Sequence, residues 1–235
     1  MEDQLKAEVS SILQRSWDMR DGNVTPDTTG VSLSNGAVRL EGAVLYADLS
    51  QSSQLAVDFQ QRVAAKIIRA FLYSMSRVIT ESNGTITSFD GDRVMALFLG
   101  DYKNTNAAKC ALKMNHVVSK IIEPMVKQYF TSVNEAGFSI SHCAGIDTST
   151  ILVVRAGQRG SNDLVWVGRA PNLAAKLSEV RTPPYRSYIT ESVFSRLNEE
   201  AKYGGDPRRL MWEDATYPFA GETIQLHRSE WTWQV

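Results

Sequence analysis

The sequence predicts an α+β fold, a mainly antiparallel sheet with helices packed on it. Three observations lead there. The apolar run Gly42-Ala43-Val44-Leu45-Tyr46-Ala47 has the length of a buried strand and ends on Asp48. Asp90-Gly91-Asp92 reads as a turn joining Thr85-Ile86-Thr87-Ser88 to Val94-Met95-Ala96-Leu97-Phe98. Long stretches of helical periodicity lie between and after these runs. The order strand, long helix, hairpin, long helix, strand, further β, short helix is a βααββαβ elaboration of the ferredoxin-like plan, with helices on one face. The hairpin breaks any βαβ alternation, which excludes a doubly wound fold.

Taken in order, residues 3–20 carry an amphipathic helix marked by Leu5, Val9, Ile12, Leu13 and Trp17. Residues 21–30 are punctuated like a loop, so residues 1–40 read as a helix and linker ahead of a domain spanning 41–235. After the strand ending at Asp48, one helix is expected from about Ser53 to Ser82, closed by Asn83-Gly84 as a C-cap. A second helix runs from about Thr105 to Phe130, bent by Pro124. A strand follows at 138–146, with further β segments at 150–154 and 164–167. Pro171 opens a short helix ending near Val180, because proline is tolerated in a first turn. Residues 188–190 form a short strand, 191–197 a short helix, and the Trp-rich tail the final strands.

Bulk properties exclude several classes. A net charge of −1 offers no field for a nucleic-acid polymer or an anionic membrane. No apolar run reaches the ~20 residues needed to span a bilayer, and the N-terminus lacks the form of a signal peptide. Cys110 and Cys143 have no metal-type spacing and read as buried thiols in a reducing cytoplasm.

The chemistry centres on two aspartates. If the strand ending at Asp48 neighbours the hairpin carrying Asp92, their carboxylates converge. Converging carboxylates repel, so their natural partner is a hard divalent cation. Ser50, Ser52 and Ser53 lie at a helix start, where backbone N–H groups suit phosphate. Further on, Asn172 and Lys176 share a helix face one turn apart. An amide can hydrogen-bond a ribose and an ammonium can neutralise a phosphate. Each motif alone is also ordinary structure: Asp-Gly makes turns, serine caps helices, and the last segment is an amphipathic helix.

Together, strand-Asp48, the Gly91-Asp92 hairpin and Gly168-x-x-x-Asn172-x-x-x-Lys176 resemble the catalytic domain of class III nucleotidyl cyclases over about residues 40–200. The resemblance implies that Asp48, Asp92 and the Leu49 carbonyl hold two Mg²⁺ or Mn²⁺ ions per site. It places Asn172 on the ribose. One turn later the family has an arginine; here Lys176 keeps the charge without the bidentate fork. The resemblance also implies a homodimer whose sites join the aspartates of one chain to the Asn172–Lys176 helix of the other. The implied reaction is attack of the ribose 3′-oxygen on the α-phosphorus with loss of pyrophosphate. No side chain stands out as a general base; His142 and His116 qualify only by type.

Purine cyclases of that family read the base from two positions, occupied here by Ser88 and Val165, and neither can make the expected contact. Tyr46, two residues before Asp48, would narrow the pocket toward a smaller base or else simply fill the core; Arg93 offers a fork of donors for uracil carbonyls, although regular alternation turns it from the Asp92 side unless the hairpin bends. This pattern resembles the bacterial anti-phage pyrimidine cyclases, which implies conversion of UTP to cyclic UMP read by a separate effector. Cyclic CMP synthesis and an inactive nucleotide-binding or dimerisation module are the alternatives. A diguanylate cyclase would want a different hairpin from Phe89-Asp90-Gly91-Asp92-Arg93.

Overall fold

A computed structural model describes residues 1–235. The elements are α1 (Glu2–Gln14), β1 (Asp18–Asp21), β2 (Gly36–Leu49), α2 (Ser52–Asp58), α3 (Gln61–Glu81), β3 (Thr85–Asp90), β4 (Arg93–Phe98) and α4 (Lys103–Val117). A π-helical turn (Val118–Ile122) leads into α5 (Glu123–Tyr129), α6 (Thr131–Glu135), β5 (His142–Gln158), β6 (Ser161–Val167) and α7 (Arg169–Ser178). The chain ends with β7 (Ser187–Thr190), α8 (Glu191–Phe194), α9 (Glu199–Lys202), β8 (Tyr203–Gly204), β9 (Arg209–Leu210), β10 (Glu213–Phe219) and β11 (Glu222–Ser229).

One sheet runs in the order β10-β11-β7-β5-β2-β4-β3, with β1 added to β2 and β6 to β5. Its pairings are antiparallel except β1 with β2 and β5 with β7, as the α+β reading expects. Alternation along β2 builds two apolar layers. Ala43, Leu45, Ala47 and Leu49 face Ile67, Phe71 and Met75 of α3 and Ala108, Ala111 and Leu112 of α4. Val38, Leu40 and Val44 face the opposite layer, with Ala170 and Ala174 of α7. Helices therefore cover both faces rather than one. Burying Ile67, Phe71 and Met75 completely is worth about 1.5–3 kcal/mol each, so this layer anchors the strand that ends at Asp48.

Several boundaries differ from the sequence expectation for physical reasons. The first helix stops at Gln14 and buries none of its residues. Asp18–Asp21 instead pair with Gly36–Arg39, so β2 begins before Gly42. The expected helix from Ser53 breaks at Phe59, whose backbone is extended (φ −122°, ψ 162°). Its ring packs edge-on against Phe138 with centroids 5.4 Å apart, a contact a continuous helix would forgo. Asn83 at φ 62° ends α3, and Gly84 N–H reaches Ile79 O at 2.9 Å, as the Asn-Gly signal predicts. The segments expected at 138–146 and 150–154 are one strand, β5, because buried Asp147 between them has partners: Thr190 at 2.6 Å and Arg169 at 2.9 Å. Cys110 and Cys143 are free and buried. No helix is long and apolar enough to cross a membrane.

Candidate active site

Strand register assembles the site. Tyr46 and Asp48 lie two residues apart on β2 and point to one face. Met95 pairs with both Tyr46 and Ser88, while Arg93 pairs with both Asp48 and Asp90. On β5 the corresponding partners are Gly145 and Cys143. Two adjacent cross-strand rows thus form, Ser88–Met95–Tyr46–Gly145 and Asp90–Arg93–Asp48–Cys143. Both face the layer that holds α7. Gly145 is required there, since a Cβ would lie 2.3 Å from Ala174 O and 2.6 Å from Leu177 Cβ. Its bare backbone lets α7 lie directly on the sheet beside Tyr46.

Asp92 follows Gly91 in the two-residue turn between β3 and β4. Gly91 adopts φ 62°, the left-handed conformation that glycine takes without steric cost. This turn sets Asp92 close to Asp48. Burial pushes the Asp48 carboxyl above its ordinary pKa, the charge of Asp92 pushes it further, and Arg181 opposes both. One oxygen of Asp92, Oδ2, is buried without a hydrogen-bond partner. An orphaned carboxylate oxygen beside a second carboxylate fits a hard divalent cation.

Leu49 buries its side chain in the α3–α4 layer, leaving only its backbone for a ligand. Ser50 is buried, and its hydroxyl has no partner. Ser52 is half-buried and Ser53 exposed at the start of α2. Neither serine caps that helix; the N-cap is Gln51, in left-handed backbone at φ 61° with no side-chain cap bond.

Arg93 donates to Asp90 Oδ2 at 2.9 Å and to Glu179 Oε1 at 3.0 Å, and its guanidinium lies 5.4 Å from the Tyr46 ring centroid. Regular alternation along the hairpin would have turned Arg93 away from Asp92; the turn places both beside Asp48. Burial raises the Tyr46 phenol pKa, and the Arg93 charge opposes this. Asn172 is exposed on α7, its amide donating to Gly168 O at 3.1 Å. Lys176 Nζ lies 3.4 Å from Glu179 Oε2. Arg93, Asn172, Lys176 and Glu179 line one cleft of about 630 Å³, closed by Tyr217–Ala220 at the tip of the β10–β11 hairpin. Within one chain, Asn172 and Lys176 therefore meet Arg93, and the aspartates lie outside the lining of that cleft.

Sequence reasoning missed Glu179 and Arg181. Glu179 bridges Arg93 and Lys176. Arg181 donates to Asp48 Oδ2. The basic residue just past a helix end was the available signal. His142, a base candidate by type only, is 1% exposed with both ring nitrogens unpartnered, and burial depresses its pKa to about 3.

No protein-family model matches the chain. Full-length relatives do. The chain is 43% identical to a uridylate cyclase of Rhodovulum sp. (strain MB263), over 97% of this chain and 95% of that protein. It is 40% identical to a uridylate cyclase of Xanthomonas perforans, over 100% and 99% respectively. Among solved structures, the fold matches the guanylyl cyclase Cya2 with a TM-score of 0.66 at 17% identity, over 83% of this chain and 94% of that one. It matches the adenylyl cyclase CyaB from P. aeruginosa with a TM-score of 0.63 at 20% identity, over 82% and 95%. At such identities the structural likeness speaks for the fold.

Proposed function

The chain belongs to the class III nucleotidyl cyclases, alongside relatives named uridylate cyclase, and we propose that it converts UTP to 3′,5′-cyclic UMP and pyrophosphate. The observation that carries the base assignment is the row of Tyr46 beside Asp48 and Arg93. A phenol stacked near a fixed guanidinium gives a short, donor-rich pocket that suits the two carbonyls of uracil. Ser88 lies in the same row and is too short to offer a charged purine contact, while Val165 sits exposed on β6.

Asp48, Asp92 and the Leu49 carbonyl would hold two Mg²⁺ or Mn²⁺ ions, which activate the 3′-oxygen and neutralise the triphosphate when bound. The chain's own groups do the positioning. Ser50, Ser52 and Ser53 line the approach of the phosphates. Tyr46 and Arg93 fix the base. In a homodimer, the partner's Asn172 orients the ribose and the partner's Lys176 meets charge developing on the phosphates. Electrostatic positioning of this kind supplies most of the rate enhancement in phosphoryl transfer. Cyclic UMP then serves as a cytoplasmic messenger in anti-phage defence, read by a separate effector protein.

Incubating the purified protein with each of the four ribonucleoside triphosphates and Mn²⁺, and resolving the products by mass, tests this reading. Cyclic UMP as the dominant product is expected. Dominant cyclic CMP would reassign the base, and no cyclic product from any triphosphate would favour a binding module.

A further inference from the structure

We propose that Arg181 is the built-in counter-ion of Asp48 in the metal-free enzyme and competes there with the divalent cation. This rests on reading Asp48 and Asp92 as metal ligands. Arg181 enters the site from just beyond α7, and 133 positions of sequence separate it from Asp48. Its Nη2 donates to Asp48 Oδ2, while Nη1 donates to Ser178 O at 2.6 Å and Val180 O at 3.0 Å. The guanidinium is thus tied to carbonyls at the end of α7, where positive charge is favoured. Asp48 has a side-chain exposure of 16% against 37% for Arg181, so the carboxylate is the buried partner.

Charge accounts for the arrangement. Two neighbouring carboxylates in a half-buried setting need compensation. Arg181 supplies one positive charge, on Asp48 only, and Asp92 Oδ2 stays without a partner. The acidic turn is left with an open oxygen. For Asp48 to serve as a ligand, Arg181 must yield Oδ2 or stand beside a dication of like sign; either opposes metal binding. Lys176 does not share this role, since it pairs with Glu179. Arg181 therefore holds Asp48 oriented before metal binds, and weakens unproductive metal capture until a triphosphate brings its own negative charge.

The test is Mn²⁺ binding to the full chain without nucleotide, followed by the electron-paramagnetic-resonance signal of free Mn²⁺ at pH 8. Arg181→Gln should bind Mn²⁺ roughly fivefold more tightly than the wild type, the upper end for a partly exposed ion pair. Arg181→Lys, which keeps the charge but loses the fork, should fall between them and guards against a folding defect in the first variant. Wild-type binding that depends on Asp48, with Arg181→Gln unchanged or weaker, would overturn the counter-ion role alone. Mn²⁺ binding indifferent to Asp48→Ala would remove the metal assignment and this inference with it.

Discussion

Asp48 and Arg93 stand directly opposite each other on β2 and β4, so a candidate metal-binding carboxylate and a candidate base-reading fork project from the same surface. Two ion pairs hold the fork in place, to Asp90 and Glu179. Its donors are therefore oriented before any nucleotide arrives, which is the condition for discrimination by hydrogen bonding. On the proposed base contact, Arg93→Ala should lower kcat/KM for UTP by about 10- to 100-fold and shift the ratio of UTP to CTP use. Mn²⁺ binding should persist. Competition between UTP and CTP in one reaction measures the ratio, and an unaltered ratio would remove Arg93 from base recognition.

The aspartates answer to a stricter expectation. Asp48→Ala or Asp92→Ala should each reduce cyclic nucleotide formation by at least about a thousandfold, since each would take a ligand from the metals that polarise the reacting oxygens. Both lie at strand or turn ends rather than in the apolar layers, so circular dichroism should remain that of the wild type. Turnover within tenfold of wild type in either variant would contradict the metal assignment.

Asp48 also carries a stability signature. Its folded-state pKa is raised, by burial first and then by Asp92. Its contribution to stability is thus present below the unfolded carboxylate value and lost as pH rises through the folded value. Asp48→Asn should accordingly melt higher than the wild type at pH 7, with the difference shrinking as pH falls into the carboxylate range. Function conserved at the expense of stability is common at active sites. Melting curves from pH 4 to pH 8 would show it, and a variant that melts lower than wild type throughout would refute the sign.

Whether the site is shared between chains has a direct test. Within one chain Arg93, Asn172 and Lys176 line the same cleft, bridged by Glu179, whereas Asp48 is engaged by Arg181. An Asp92→Ala chain mixed with an Asn172→Ala chain distinguishes the arrangements. A site built across the dimer leaves one intact pair per heterodimer, so the mixture should recover about a quarter of wild-type activity under random pairing. A site contained in one chain recovers none.

What could be read from the sequence was local. The apolar run into Asp48, the Gly91 turn and the Pro171 helix each carry their signal within a few residues, and the structure places them as expected. The remainder depended on partners far along the chain. Phe59 leaves the helix to meet Phe138. Asp147 can lie inside a strand because Arg169 and Thr190 both engage its Oδ1, although Oδ2 stays without a partner. Arg181 matters only because the fold brings it to Asp48. Periodicity reports which face is buried, but not which distant polar group makes a buried charge tolerable.

His142 follows the same logic and yields a pH dependence. It pairs across the ladder with Leu49, the residue after Asp48, and its ring is sealed beneath the site. Burial depresses its pKa from 6.5 to about 3, so the folded protein holds the neutral ring. The unfolded chain takes up a proton near pH 6.5 that the folded one refuses until about pH 3. Stability is therefore complete above pH 6.5 and drains as pH falls through that window. His142→Leu removes the proton uptake together with two unpartnered ring nitrogens. The variant should be at least as stable as wild type at pH 7, and its urea midpoint should fall less steeply between pH 6.5 and 4. The native carboxylates contribute equally to both proteins, so the difference between the two curves isolates the imidazole, and parallel curves would mean that His142 gains water or a partner in solution.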